Sequence, residues 1–234
     1  MTLLKPILSS SKANLYEVSD GRTRILLECG CTYKQLQTLC GFHAASNYAG
    51  CLITHEHSDH SKAAMQLAKR GVAIYATPGT LEALKLNERH YRVHPVEYNT
   101  PIKLGSLQIL AFPTVHNAAQ PCGWVITSSR SGESLVFATD TYRIGYKFEG
   151  ASEVAVECNF AKDLISDELP ETVRRRIEHS HMSLEACRDF LLAQDLTTVR
   201  RVWLVHLSRE RASAERFRRF IEDATGVRTI VAES

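Results

Sequence analysis

Thr54-His55-Glu56-His57-Ser58-Asp59-His60 directly follows a short apolar run, Gly50-Cys51-Leu52-Ile53. An apolar run of this length, bounded by turn signals, reads as a buried strand over 50–54. On extended backbone, residues i and i+2 point to the same side, so His55 and His57 can reach one metal ion together. Asp59 and His60 fall where the chain turns into the next helix, for which Ser61 is the expected N-cap, with its end near residue 70. They point elsewhere and can serve a second ion. Four ligand-type residues within six positions, at the end of a strand, is a spacing that ten histidines scattered over 234 residues seldom give by chance.

A two-ion site needs donors from elsewhere in the chain. Three candidates leave apolar runs that read as strands: His116 after 107–112, Asp140 after 135–138 and His206 after 202–205. Rigid elements that end in ligand residues are how a scaffold presents such a site. Around them, strands are expected at 14–18, 23–27, 72–75, 123–127, 134–137, 154–156 and 201–205. Helices are expected at 32–39, 80–86, 183–193 and 212–224. Strands followed by helices, in both halves, suggest a sheet-on-sheet core with helices outside. No internal repeat and no linker is visible, so residues 1–234 read as a single domain.

Composition narrows the function classes. Hydrophobic residues make up 44% and charged residues 23% of the chain, as in ordinary globular proteins. Lys and Arg total 28 against 26 Asp and Glu, a net charge of +2, which excludes a strongly basic nucleic-acid coat. No apolar run approaches the ~18–20 residues of a membrane span. The opening eight residues carry one lysine, an early proline and no long apolar core, so no secretion signal is expected. Seven cysteines, an odd number without a CxxC pair, point to free thiols in a reducing cytoplasm.

These residues resemble the metallo-β-lactamase superfamily, whose hallmark is His-x-His-x-Asp-His and whose later motifs match His116, Asp140 and His206. The resemblance covers most of the chain and implies an α/β fold, the αββα metallo-β-lactamase sandwich. It implies two divalent metal ions (zinc or manganese, with iron also suited), one held by His55, His57 and His116. The other is held by Asp59, His60 and His206, and Asp140 bridges the two. The β-lactamases themselves carry cysteine at the bridging position, so antibiotic hydrolysis is disfavoured.

Two further stretches indicate a branch. Glu157-Cys158-Asn159 and His179-Ser180-His181-Met182-Ser183 are similar to segments of ribonuclease Z and of the WalJ (YycJ) exonuclease-like branch. In those phosphodiesterases a glutamate orients a histidine that protonates the leaving oxygen or binds the phosphate. The matching pair here is Glu157 and His181, which with Asp59 form the candidate catalytic residues. His179 is expected to be a solvent-facing neighbour, and Arg174-Arg175-Arg176 a solvated helix face. The chain departs from the branch at Asn117, at Glu28 (normally Asp), at Ser10-Ser11-Lys12-Ala13-Asn14 and at Phe160-Ala161. Glu28 can still hold a ligand histidine from behind.

The implied activity is a dinuclear metal-dependent phosphodiesterase acting on a nucleotide or nucleic-acid phosphodiester. The near-neutral charge leans this reading toward 3′,5′-cyclic mononucleotides, as in the compact anti-Pycsar phosphodiesterases of phages. A WalJ-like DNA exonuclease or other nuclease is the alternative. A thiol-ester or lactone hydrolase, and a non-catalytic module, rank lower. Related enzymes are often dimers, so a homodimer is a further expectation; a membrane partner is not expected.

Overall fold

The computed structural model describes residues 3–41, 47–86, 92–166 and 169–232. Of the opening segment, residues 1 and 2 lie outside the described residues. Thirteen strands are present among the described residues, in two sheets. The first runs β1 (Leu4–Ser10), β2 (Ala13–Ser19), β3 (Arg24–Leu27), β4 (Cys51–Leu52), β5 (Ile74–Ala76) and β6 (Val93–Pro95). The second has the order β13 (Thr229–Val231), β12 (Arg201–Val205), β11 (Glu153–Glu157), β10 (Ser134–Ala138), β9 (Cys122–Ser128), β8 (Leu107–Pro113) and β7 (Ile102–Leu104).

Each sheet begins as an antiparallel meander and finishes in parallel strands. β1–β2–β3 are antiparallel and β3 through β6 parallel. β7 through β10 are antiparallel and β10 through β13 parallel. The two halves therefore share a topology that their side chains do not advertise, and no sequence repeat betrays it.

Side-chain parity builds the layers. In β10 the whole run Ser-Leu-Val-Phe-Ala is buried. Leu135 and Phe137 face the opposite sheet, beside Tyr16, Leu27 and Leu52. Val136 and Ala138 face outward, under helices. Strands covered on both faces read as continuous apolar runs, which is why this one was legible. Tyr16 and Phe137 meet edge-to-face across the sandwich, ring centroids 5.1 Å apart. Helices α1 (Tyr33–Cys40), α3 (Ala64–Lys69) and α4 (Pro78–Ala83) cover the first sheet through Leu36, Leu67 and Leu81. Helices α6 (Leu184–Leu192) and α7 (Ala214–Thr225) cover the second through Leu184, Leu191, Phe217 and Ile221. The result is the expected αββα sandwich.

The structure corrects several expected elements. Ser61 does not cap a helix to residue 70: it closes α2 (Ser58–Ser61), and its Oγ donates to the carbonyls of Glu56 and His57 at 2.9 Å. The strand over 50–54 is only β4, so His55 and His57 sit on loop rather than strand. Helix α5 (Glu171–Ser180) has no buried residue, and no apolar stripe announces it. The edge strands β1, β6, β7 and β13 were not anticipated.

At the end of the sandwich away from the histidines, Asp20 ties the two sheets together. Its carboxylate accepts from Ser106 Oγ (2.6 Å), Ser128 Oγ (2.9 Å) and the amides of Arg22 and Thr23 (3.0 and 2.9 Å). Burial alone would raise its pKa, but these hydrogen bonds outweigh it and hold the carboxyl well below the usual carboxylate range. A depressed pKa stabilises the fold above the unfolded value of ~3.9, and the contribution is lost as pH falls toward the folded value. Asp20→Ala is expected to cost about 2–3 kcal/mol at pH 7. Urea midpoints should show that penalty shrinking as pH falls from about 4 toward 2; an unchanging gap would refute the charge-based part.

Candidate metal centre

The parallel strands bring their carboxyl ends to one edge of the sandwich, the place where open α/β sheets present ligand sites. Glu28 follows β3, Asp140 lies two residues after β10, Glu157 ends β11 and His206 follows β12. Glu28, Asp140 and His206 have φ of 62°, 43° and 56°. Left-handed backbone at three non-glycine residues costs ~1–3 kcal/mol each and clusters at functional sites. Here it turns each side chain off its strand and toward the same space. Gly30 permits the closest approach: a Cβ there would lie 1.6 Å from the carbonyl oxygen of Asp59. The Cys29 amide donates to His60 O at 2.7 Å, clamping the histidine loop against β3.

Two clusters result. His55 Nε2 and His116 Nε2 lie 3.1 and 3.2 Å from His57 Nδ1, and 3.8 and 3.6 Å from Asp140 Oδ2. Asp59 Oδ2 is 3.3 Å from His60 Nε2 and 3.7 Å from His206 Nε2. Asp140 Oδ1 completes that group, 3.4 Å from His60 Nε2 and 3.2 Å from His206 Nδ1. Asp140 belongs to both clusters. All seven candidate ligand residues read from the sequence are thus brought together.

The donor chemistry fits divalent cations. Burial holds His55 and His116 below the ordinary imidazole range, so both are neutral with lone pairs to offer. His116 Nδ1 donates to Ser180 O at 2.8 Å, which leaves its Nε2 as an acceptor facing His57. Two ring nitrogens within 3.1 and 3.2 Å of a third suit a cation held among them. Burial also opposes charge on His60 and His206, but Asp140 and the neighbouring carboxylates outweigh it. They push His60 well up and His206 to about 10. Those protons stand where an ion's charge would otherwise balance three acids. His206 Nε2 is buried with no hydrogen-bond partner among the described residues, the orphaned donor atom that a ligand position leaves. Nitrogen and oxygen donors without thiolate suit zinc, manganese or iron alike.

Residues behind the ligands fix their aim. Glu28 receives the Thr54 amide at 3.3 and 3.4 Å and lies 3.7 Å from His60 Nδ1, both side chains fully buried. Asn14 Nδ2 contacts His60 Nε2 at 3.1 Å, while its Oδ1 accepts from Tyr16 OH at 3.1 Å. Tyr16 OH also meets Ser9 Oγ at 2.8 Å, and Ser9 Oγ accepts the His206 amide at 3.0 Å. The roles of Ser9 and Tyr16 have no sequence signal, because neither belongs to a spaced motif; Ser180 lies in the 179–183 segment, but its part is played by its backbone carbonyl, which no side-chain pattern marks.

Glu157 and His181 form a pair: His181 Nδ1 lies 2.6 Å from Glu157 Oε1. Glu157 Oε2 accepts from the amides of Thr141 (2.7 Å) and Met182 (3.2 Å). Both oxygens of Glu157 are thus engaged, and Oε1 also lies 3.2 Å from His206 Nδ1 in a group with Asp140. Burial pulls the His181 pKa down, but Glu157 more than compensates and raises it above the ordinary value. His181 Nε2 has no hydrogen-bond partner among the described residues. It borders a cavity of about 490 Å³ whose wall includes His57, Asp140, Asn159, Arg176 and Arg211.

A four-layer sandwich with paired histidine–carboxylate clusters at one sheet edge defines a class of metal-site proteins. The beta-lactamase superfamily domain matches residues 23–207, and the chain belongs to that superfamily. It is 24% identical over 219 residues to the exodeoxyribonuclease WalJ of Streptococcus pneumoniae, covering 87% of this chain and 81% of that protein. It is 25% identical over 223 residues to the exodeoxyribonuclease YycJ of Bacillus anthracis, covering 86% and 81%. Among solved structures, the metallo-beta-lactamase fold protein YhfI of Bacillus subtilis superposes with a TM-score of 0.74 at 17% identity, covering 99% of this chain and 96% of that one. Enzymes of this fold bind divalent metals. All seven cysteines are free, six of them buried. Among the described residues, no helix is long and apolar enough to cross a membrane.

Proposed function

We propose that the chain is a metal-dependent phosphodiesterase that hydrolyses DNA from its ends, built as one domain over residues 1–234. The carrying observation is the Glu157–His181 pair set beside the two histidine–carboxylate clusters. The likeness to two exodeoxyribonucleases along most of their length supports DNA over a cyclic mononucleotide. In this reading His55, His57 and His116 hold one cation, Asp59, His60 and His206 a second, and Asp140 both. Divalent cations bound there supply activation of water and neutralisation of the charge that develops on the phosphoryl oxygens.

The protein's own residues do the rest. Glu157 holds His181 in one orientation and favours its protonated form, so Nε2 is the atom that offers a proton to the cavity. His181 delivers that proton to the departing oxygen. Arg176, Arg211 and Asn159 line the same space, where their donors suit a phosphate.

The test is to incubate manganese- or zinc-loaded protein with end-labelled DNA oligonucleotides and, separately, with a panel of 3′,5′-cyclic mononucleotides. Mononucleotide release from DNA ends, abolished by chelator and restored by added metal, is expected. Opening of the cyclic nucleotides with DNA left intact would replace this reading. So would turnover of thiol esters alone.

A further inference from the structure

His181 is a shared wall. On one side lies the cavity of the histidine–carboxylate clusters; on the other, a second cavity of about 410 Å³. That volume lies within the ~300–1,000 Å³ of small-ligand sites. Tyr142, His179, Arg143 and Lys162 line it, with Glu178 as its acid. Tyr142 is 37% exposed, and its ring lies 5.6 Å from that of His179 at 56°. Arg143 and Lys162 are exposed and have no carboxylate partner among the described residues.

We infer that this second cavity is the binding site for the leaving-side nucleoside of a single-stranded nucleic acid, its base stacked on Tyr142 with the inclined His179 ring beside it. The inference rests on the phosphodiesterase reading above. A proton donor stands beside the oxygen that departs, so the part of the strand that departs lies on the far side of His181 from the clusters. Every base offers a π-face, and an exposed aromatic pair beside cations is the platform that recognises a single strand without regard to sequence. Arg143 and Lys162 are then placed for the next phosphate. A cyclic mononucleotide has no such nucleoside and leaves the cavity without a task.

The platform is held in position from below. The Tyr142 amide donates to Val115 O at 2.8 Å, and Thr141 Oγ1 donates to Arg143 O at 2.8 Å. The Thr141 amide donates to Glu157 Oε2 at 2.7 Å, the carboxylate that orients His181. The stacking ring and the proton donor are thus fixed to one buried group. Rigid aromatic anchors of this kind lose little entropy when a base arrives. His179, expected from the sequence to be a mere neighbour of the solvent, becomes the second half of the platform.

The experiment compares the wild type with Tyr142→Ala, Tyr142→Phe, His179→Ala and Arg143→Ala/Lys162→Ala. One readout is anisotropy of labelled deoxy- and ribo-oligonucleotides of one sequence. The other is kcat/KM for the oligonucleotide relative to the methyl ester of thymidine 5′-phosphate, whose leaving group is methanol and carries no ring to stack. Tyr142→Ala should weaken oligonucleotide binding and lower that ratio by about tenfold or more, and Tyr142→Phe should restore both. Arg143→Ala/Lys162→Ala should reduce the slope of log affinity against log salt by about 0.7 for that one phosphate. Equal responses of deoxy- and ribo-strands assign the site to the base; a preference for one assigns the added contact to the sugar. Unchanged binding and ratio in the alanine variants, with the wild type still cleaving DNA, overturn the platform and leave the phosphodiesterase reading standing. Equal losses on both substrates overturn it too, by assigning Tyr142 to the shape of the centre. A wild type that neither binds nor cleaves any oligonucleotide removes the underlying reading and the inference together.

Discussion

Asp140→Asn is expected to lower bound metal by at least one equivalent and kcat/KM on DNA by ~10³-fold or more, since several kcal/mol of charge stabilisation depend on the ions being held. Asp140 is the one residue common to the two four-residue clusters, within 3.2–3.8 Å of ring nitrogens of His55, His60, His116 and His206. Asparagine keeps its shape and tolerates the left-handed backbone at φ 43°. The substitution therefore removes charge with little strain. Elemental analysis beside single-turnover rates reads both quantities. Retained metal with activity within tenfold of the wild type would show that the carboxylate does not join the two clusters.

How much of this centre could be read in advance differs residue by residue. His55 through His60 were legible because six consecutive positions carry four donors, a density that needs no long-range information. His116, Asp140 and His206 were legible through a weaker rule, a ligand-type residue soon after an apolar run. The runs at 134–137 and 201–205 were visible because strands buried on both faces are continuously apolar. β13 and the edge strands escaped because they are short and partly exposed, so their pattern is diluted. The left-handed turns at Glu28, Asp140 and His206 have at most a weak sequence signature: Asp and His adopt that region more often than most residues, but no glycine or asparagine stands there to announce it. Helix α5 has only Val173 and Ile177 as apolar residues, both half-buried, so from the sequence Arg174-Arg175-Arg176 reads as a solvated face. What could not be foreseen is that its end brings Arg176 and Ser180 to the cavity and His179 to Tyr142. That juxtaposition depends on tertiary packing between segments more than thirty residues apart in sequence.

His181→Ala carries the second large effect, and the leaving group decides what it means. A general acid contributes typically ~10²–10⁴-fold, so kcat on DNA should fall by that factor while metal content stays at the wild-type value. The departing oxygen of DNA is an alkoxide that needs the proton; p-nitrophenolate leaves readily without one. Turnover of bis(p-nitrophenyl) phosphate should therefore fall far less than turnover of DNA. Glu157→Gln removes the charge that lifts the His181 pKa against the pull of burial. With the carboxylate gone, the protonated form of His181 is lost at lower pH, so the alkaline limb of the kcat profile should move down. Equal losses on both phosphodiesters after His181→Ala would make His181 a phosphate-binding group instead of a proton donor. An unmoved alkaline limb in Glu157→Gln would separate that limb from His181. If His181→Ala lost metal as well as rate, the third cluster of Asp140, Glu157, His181 and His206 would have to be counted among the ligands. The committed hydrogen bonds of Glu157 to Thr141 and Met182 argue against that outcome.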